Sequence, residues 1–306
     1  MQPSVSEWFR STWEASPPKS KSLVITLFGD AIAPHGGSMG LGDLISVLGS
    51  FGINERLVRT CAFRLISDGW LVAERHGRRS VYSLTPQGMV RFQRAYKRVY
   101  SEHQRQWDGS WTLVCLPSSP DIGPVQERLE RELGWEGFGK IAPNIFGHPS
   151  PELASLREVL DGLELSNRVF ILSARPLDVL PTLPLRKLVS QSWNLDILAK
   201  GYHAFAQRFA TFADSDRAAN LDPSDSFIVR TLLIHWFRRV TLHDPQIPAE
   251  LLPNDWPGHV AHELCHCVYQ AIYRPAEEFL AQTVKASGGT LPEISPWFYH
   301  RFGGLT

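Results

Sequence analysis

The sequence predicts an α+β protein in three parts: N-terminal helices closed by a basic hairpin, a central stretch of alternating strands and helices, and a helical C-terminal part. Three observations carry this. Between residues 20 and 90 the order is helix, helix, helix, hairpin; from Trp111 to Ala174 strand and helix signals alternate; beyond Pro184 the pattern is almost wholly helical. A length of 306 residues allows two or three domains, each with its own core, placed here at 20–90, 91–184 and 185–306.

Residues Met1 to Ser22 end in the polar stretch Pro17-Pro18-Lys19-Ser20-Lys21-Ser22 and read as an arm. Leu23 to Ala31 is apolar enough for a first helix, His35 to Gly42 is a glycine-rich break, and Asp43 to Ser50 is a short second helix. A third helix starts at Asn54 as its N-cap and runs to about Asp68, with Gly69 as its stop. Trp70 to Arg75 and Ser80 to Leu84 are strands joined by the tight turn His76-Gly77-Arg78-Arg79. That succession is the order of a winged helix-turn-helix. Pro86 opens a further helix over Gln87 to Gln106, a linker rich in Arg, Lys and aromatic residues. The middle of the chain gives strands at Trp111 to Leu116, Gly139 to Phe146 and Val169 to Ala174, with helices at Pro124 to Leu133 and Pro151 to Leu163, a ferredoxin-like pattern. Helices follow at Trp193 to Ala213, Ser226 to Leu242 and Gly258 to Ser287.

Composition removes several classes. Hydrophobic content of 43% with 20% charged residues is that of a folded globular chain, not a disordered one. The longest apolar runs fall far short of the ~20 residues of a membrane span, and the N-terminus carries Glu7 and Glu14 instead of a secretory pattern, so no membrane partner and a cytoplasmic location are expected. Four cysteines without a CxxC pair argue against a disulfide framework or zinc ribbon. Net charge is zero, but it is unevenly spread: from Phe51 to Arg105 eleven basic residues stand against four acidic ones, a balance of +7 that the remainder of the chain must offset. A basic segment on a more acidic body is the footprint of a nucleic-acid contact.

On a helix that begins after Asn54, Val58, Ala62, Leu65 and Ile66 share one face, while Arg56, Thr60, Arg64 and Ser67 share the other, with Arg59 and Phe63 at the margins. Arginine reaches guanine edges in the major groove, and hydroxyls and further arginines hold phosphates. Arg56, Arg59, Thr60 and Arg64 supply both kinds of donor. The hairpin adds Arg75, Arg78, Arg79 and Ser80 around Gly77, cations suited to the minor groove or adjacent phosphates.

The run Glu55-Arg56-Leu57-Val58-Arg59-Thr60-Cys61-Ala62-Phe63-Arg64-Leu65, then Gly69-Trp70-Leu71 and Gly77-Arg78-Arg79-Ser80-Val81-Tyr82-Ser83-Leu84, resembles the signature of the PaaX family of transcriptional repressors. So do Trp107-Asp108-Gly109-Ser110-Trp111, Gly137-Phe138-Gly139, Leu233-Ile234-His235-Trp236-Phe237-Arg238-Arg239, Trp256-Pro257-Gly258 and Phe302-Gly303-Gly304-Leu305. The resemblance spans about Lys21 to Leu305. It implies a repressor of phenylacetate degradation genes that binds double-stranded operator DNA as a homodimer and leaves it on binding phenylacetyl-coenzyme A. It also implies a Cas2-like middle domain. Nuclease members of that fold carry an aspartate at the end of the first strand, where this chain has Cys115-Leu116-Pro117. No cofactor is expected.

An aromatic acyl-coenzyme A needs an apolar lining and cations for its phosphates. Residue types nominate His235, Trp236, Arg238, Arg239 and Trp256 in the C-terminal part, and Trp111 and Arg168 in the middle. A rival enzyme reading comes from His262-Glu263-Leu264-Cys265-His266, which matches H-E-x-x-H: one helical turn places His262 and His266 together for a zinc ion, with Glu263 to activate water. That reading lacks a third ligand at the usual spacing, and no catalytic or metal role is expected.

Overall fold

The computed structural model describes residues 4–77, 79–101, 107–117, 123–177, 183–286 and 288–306. The chain divides into two compact units, one made of residues 1–102, 202–242 and 259–306 and the other of residues 103–201 and 243–258.

The first unit opens with a helix where the sequence reading placed an arm. Ser4 and Glu7 form a reciprocal capping box at the start of α1 (Val5–Ala15), and Val5 and Trp8 are buried. The Trp8 indole donates to the Arg208 carbonyl at 2.8 Å and meets Phe212 edge-on. Helix α2 (Ser20–Leu27) passes into a wide π turn over Phe28–Ile32. Strand β1 (Ser38–Gly40), helix α3 (Leu41–Gly49), helix α4 (Glu55–Ser67) and strands β2 (Leu71–His76) and β3 (Arg79–Leu84) follow. The strands form an antiparallel sheet in the order β1-β3-β2. Thr85 caps helix α5 (Pro86–Tyr100) by accepting from the Gly88 amide, and Pro86 sits at its first position, where a missing N–H costs nothing.

The C-terminal helices belong to the same unit for a physical reason legible in helix α11 (Pro223–Thr241). It is buried almost continuously from Ser226 to Phe237, with Arg230 and His235 among the buried residues, so it must be enclosed on nearly every side. Helices α2 and α5 pack against it, joined in this unit by the end of α9 (Leu195–Phe209), by α10 (Ser215–Ala219) and by the long α12 (Pro257–Ala286).

The second unit holds β4 (Trp111–Cys115), α6 (Gly123–Trp135), β5 (Gly139–Ala142), β6 (Ile145–His148), α7 (Leu153–Gly162) and β7 (Phe170–Ala174). The sheet order β5-β6-β4-β7 is antiparallel throughout, the split arrangement of a ferredoxin-like βαββαβ unit. The single strand expected at Gly139 to Phe146 is in fact a hairpin, because Pro143 and the left-handed Asn144 (φ 60°) turn the chain back. Val114, Leu129, Leu133, Phe138, Phe146, Leu156 and Leu160 form the core under the sheet. Helix α8 (Leu185–Ser192) also belongs here, and after it the Trp193 indole donates to the Gly137 carbonyl at 2.8 Å. Among the described residues no helix is long and apolar enough to cross a membrane.

Candidate nucleic-acid interface

Helix α4 begins as the sequence indicated: the Asn54 side chain accepts from the Leu57 amide at 3.0 Å. Val58, Cys61, Ala62 and Leu65 are its buried face. At 100° per residue the direction opposite that face is occupied by Arg56, Thr60, Phe63 and Ser67, flanked by Arg59 and Arg64. Phe63 therefore lies within the outward face instead of at its margin, and it is 69% exposed. Arg59 reaches back one turn to Glu55 at 2.9 and 2.6 Å, an exposed pair that exchange with another anion costs little. The Thr60 and Ser67 hydroxyls donate to the Arg56 and Phe63 carbonyls, which keeps their lone pairs outward.

The helix is stopped by Gly69, at φ 72°, with the Trp70 amide closing onto the Leu65 carbonyl. In the hairpin Arg75 stands opposite Ser80, and the Arg75 Nε donates to the Gly77 carbonyl at 3.0 Å. Arg79 donates to the Gly288 carbonyl at 2.9 Å, so the turn end of the hairpin is tied to the turn after α12. Arg78 lies outside the described residues. Behind the hairpin, Arg91 of α5 lies over the Trp70 ring at 5.0 Å. Gly88 lets the first turn of α5 pack on the backbone at Trp70, where a Cβ would clash with the Trp70 carbonyl oxygen.

A buried ionic network, unseen in the sequence reading, lies in the same unit. Asp30 accepts from the Tyr100 hydroxyl at 2.6 Å, the Tyr269 hydroxyl at 2.9 Å and Arg301 Nη1 at 2.9 Å, while its other oxygen is 3.0 Å from Arg230 Nε. Arg230 also reaches Glu277 at 2.5 Å, and Glu277 meets His35 Nε2 at 2.8 Å. Both arginines are fully buried. Burial by itself would raise the Glu277 pKa; Arg230 and His35 outweigh it and hold the carboxyl below its ordinary value. Burial pushes the Tyr100 hydroxyl well up, with Arg301 opposing and Asp30 adding to the rise. The signal available in the sequence was charge inside apolar runs, as in Phe28-Gly29-Asp30-Ala31-Ile32 and Val229-Arg230-Thr231-Leu232.

The residues nominated for an effector fall in both units. Trp111 is buried in the second unit against Trp107 and Trp193, Trp256 is buried there too, and Arg168 is exposed. His235, Trp236, Arg238 and Arg239 are consecutive or nearly so on α11 in the first. Arg238 donates to the Ser22 carbonyl, Ser22 Oγ and Thr26 Oγ1, and His235 Nδ1 is 3.1 Å from the same Thr26 hydroxyl. Burial, then the charges of Arg238, Arg239 and Arg208, lower the His235 pKa to about 3. A histidine held neutral in the fold binds fewer protons than in the unfolded chain, so its stability contribution is complete above its ordinary pKa of 6.5 and is lost as pH falls toward about 3. Stability measured by urea unfolding between pH 7 and 5 is expected to fall with acid, and His235→Gln to flatten that slope.

The two histidines of the H-E-x-x-H match have aromatic neighbours: His262 meets Tyr202 and Phe237, and His266 stacks on Phe302. Among the described residues no group of three or more His, Cys, Asp or Glu side chains could hold a metal ion.

Profiles of three families match: PaaX-like protein at residues 19–88, the PaaX protein central Cas2-like domain at 104–183, and the PaaX-like protein C-terminal domain at 193–282. Transcriptional repressor PaaX of Escherichia coli (strain K12) is 36% identical over 293 residues, 95% of this chain and 92% of that protein. The chain belongs to the PaaX family. A solved structure of an uncharacterized protein from Mycobacterium tuberculosis is similar with a TM-score of 0.51 and 25% identity, over 78% of this chain and 89% of that one. Membership in the PaaX family makes the chain a transcriptional regulator and not an enzyme. Its central unit is Cas2-like, with Cys115-Leu116-Pro117 at the end of the first strand.

Proposed function

We propose that this protein represses genes of phenylacetate degradation by holding operator DNA in a winged helix-turn-helix and releasing it when phenylacetyl-coenzyme A binds. The observation that carries the reading is the outward face of α4, with Arg56, Arg59, Thr60, Phe63 and Arg64 exposed, followed at once by the hairpin that bears Arg75 and Arg79. Helix α4 is the groove-reading element: arginines for guanine edges, the exposed Phe63 ring for thymine methyl groups, and Thr60 for phosphate once its hydroxyl turns from the Arg56 carbonyl to donate outward. Asn54 caps the helix end that faces the backbone. The wing contributes Arg75, Arg78, Arg79 and Ser80.

A homodimer matches the two-fold symmetry of operator sites. Its seam is proposed at β7, the edge strand of the second unit, where Phe170, Ile171 and Leu172 are exposed in succession. An uncovered apolar edge invites pairing with another strand, and an antiparallel pair of identical edges closes a two-fold dimer. The effector site is proposed on the His235 to Arg239 segment of α11, and the protein works in the cytoplasm where both DNA and thioester are found.

Titrating phenylacetyl-coenzyme A and free phenylacetate separately into the complex of the full chain with its own upstream DNA tests this reading. Release by the thioester alone, at micromolar concentrations, is expected. Retention of the complex at saturating thioester contradicts the assigned effector.

A further inference from the structure

Two guanidinium groups and a neutral histidine converge on one tryptophan of α11. The Arg208 guanidinium, from the last turn of α9, lies 3.8 Å from the centroid of the Trp236 ring, and that of Arg239 lies 4.7 Å from it. His235, next in the chain, stands edge-on to the same ring. Cations over one indole face or the other are mutually attractive to the ring and repulsive to each other. The repulsion is felt: burial first, then the Arg239 charge, lowers the Arg208 pKa, and every charge that shifts His235 is an arginine. Structural arginines ordinarily gather around carboxylates, as Arg230 and Arg301 do around Asp30. Here the charges that act on Arg208 and His235 are all of one sign.

Two polar atoms at the same place add an independent observation. Trp236 Nε1 and His235 Nε2 are buried and have no hydrogen-bond partner. An indole N–H left without an acceptor costs about 1–3 kcal/mol. Both residues are more than nine-tenths buried. Clustered guanidinia with an unsatisfied buried donor beside them are what an anion with several oxygens would satisfy.

We propose that Arg208, Trp236 and Arg239 form a binding site for a phosphate-bearing anion. The proposal rests on the effector reading above and deepens it: this site takes the phosphate end of the ligand, through two guanidinia from different helices. Its position gives the ligand a lever on the DNA-reading elements. On the helical turn that carries Trp236 and Arg239, Arg238 grips Ser22 and Thr26 of α2, and α2 packs directly on α4. An anion that draws Arg239 and Arg208 together shifts the α11 turn that holds α2, and differential binding to the two positions of that turn is what couples ligand to DNA.

The test titrates the full-length protein by calorimetry at low ionic strength with two probes, inorganic pyrophosphate and coenzyme A, and measures the affinity of each protein for its upstream DNA. The proteins are the wild type, Arg208→Gln, Arg239→Gln and Arg208→Lys, each checked for an unchanged thermal transition. Both probes are expected to bind the wild type. The glutamine variants should weaken both by about tenfold or more, the lysine variant should recover part of that loss, and DNA affinity should be unchanged. Equal probe affinity in wild type and glutamine variants, absence of probe binding to the wild type, or a loss that falls on DNA affinity overturns the proposal. If the probes depend on Arg208 and Arg239 while phenylacetyl-coenzyme A fails to release DNA, the site is confirmed and only the effector assignment falls.

Discussion

Asp30→Asn is expected to destabilise the protein by about 3–5 kcal/mol, the loss found when one member of a buried ion pair is removed and its partner is left charged. Asp30 is the only acid in direct contact with both Arg230 and Arg301 among the described residues, and it accepts from two tyrosines as well. Asparagine keeps the shape but takes away the charge, so among the described residues the fully buried Arg230 keeps only Glu277 as an ion-pair partner and the fully buried Arg301 keeps none. For a domain of this size the change amounts to a fall in Tm on the order of 10 °C. Tyr100→Phe removes a single hydrogen bond from the same oxygen and is expected to cost only about 1 kcal/mol. Urea unfolding of the two variants separates a charge network from an ordinary set of hydrogen bonds. If Asp30→Asn costs no more than Tyr100→Phe, the network is not held by its charge.

The network also explains why the parts of the first unit form one body. It joins the π turn after α2 (Asp30), the end of α5 (Tyr100), α11 (Arg230), α12 (Tyr269 and Glu277) and the C-terminal turn (Arg301). Each of those segments is fixed to the others by directional contacts that a purely apolar core would not impose. The loss of any one contact is felt by helices far apart in sequence.

The second large effect is on DNA. Arg56→Ala and Arg64→Ala are each expected to weaken binding to upstream DNA by about 1–3 kcal/mol, a factor of about 5 to 150. Both side chains are exposed on α4, so neither change should lower the thermal transition by more than a degree or two. The two kinds of contact separate by their signature. Loss of a base contact relaxes sequence preference at one position, whereas loss of a phosphate contact weakens all sequences alike and reduces the salt slope by about one. Arg79→Ala should do the latter, and in addition frees the turn end of the hairpin from the Gly288 carbonyl.

Local signals were legible where a residue does its work within a few neighbours. Asn54 and Gly69 bounded α4, Pro86 opened α5, and the hairpin over residues 71–84 was announced by its Gly77 turn. The capping pair Ser4 and Glu7 is an equally local mark of α1. Asn144 hid a hairpin because a positive φ at a residue other than glycine leaves little trace in the sequence. The ionic network could not be read at all: Asp30 lies about two hundred residues from Arg230 and further still from Arg301, and no periodicity links them. The same holds for Arg208, which meets Trp236 from a different helix. The outward place of Phe63 needed the buried face of α4 to be known first.

Fluorescence anisotropy of the full-length chain on its own upstream DNA, from about 50 to 200 mM salt, tests the central claim most directly. Specific binding by the wild type is expected, with affinity falling steeply and linearly on a logarithmic salt scale, and with the Arg56→Ala, Arg64→Ala double variant reduced to the level of unrelated DNA. Binding by the double variant as tight and as selective as the wild type would contradict the assignment of α4 as the reading helix.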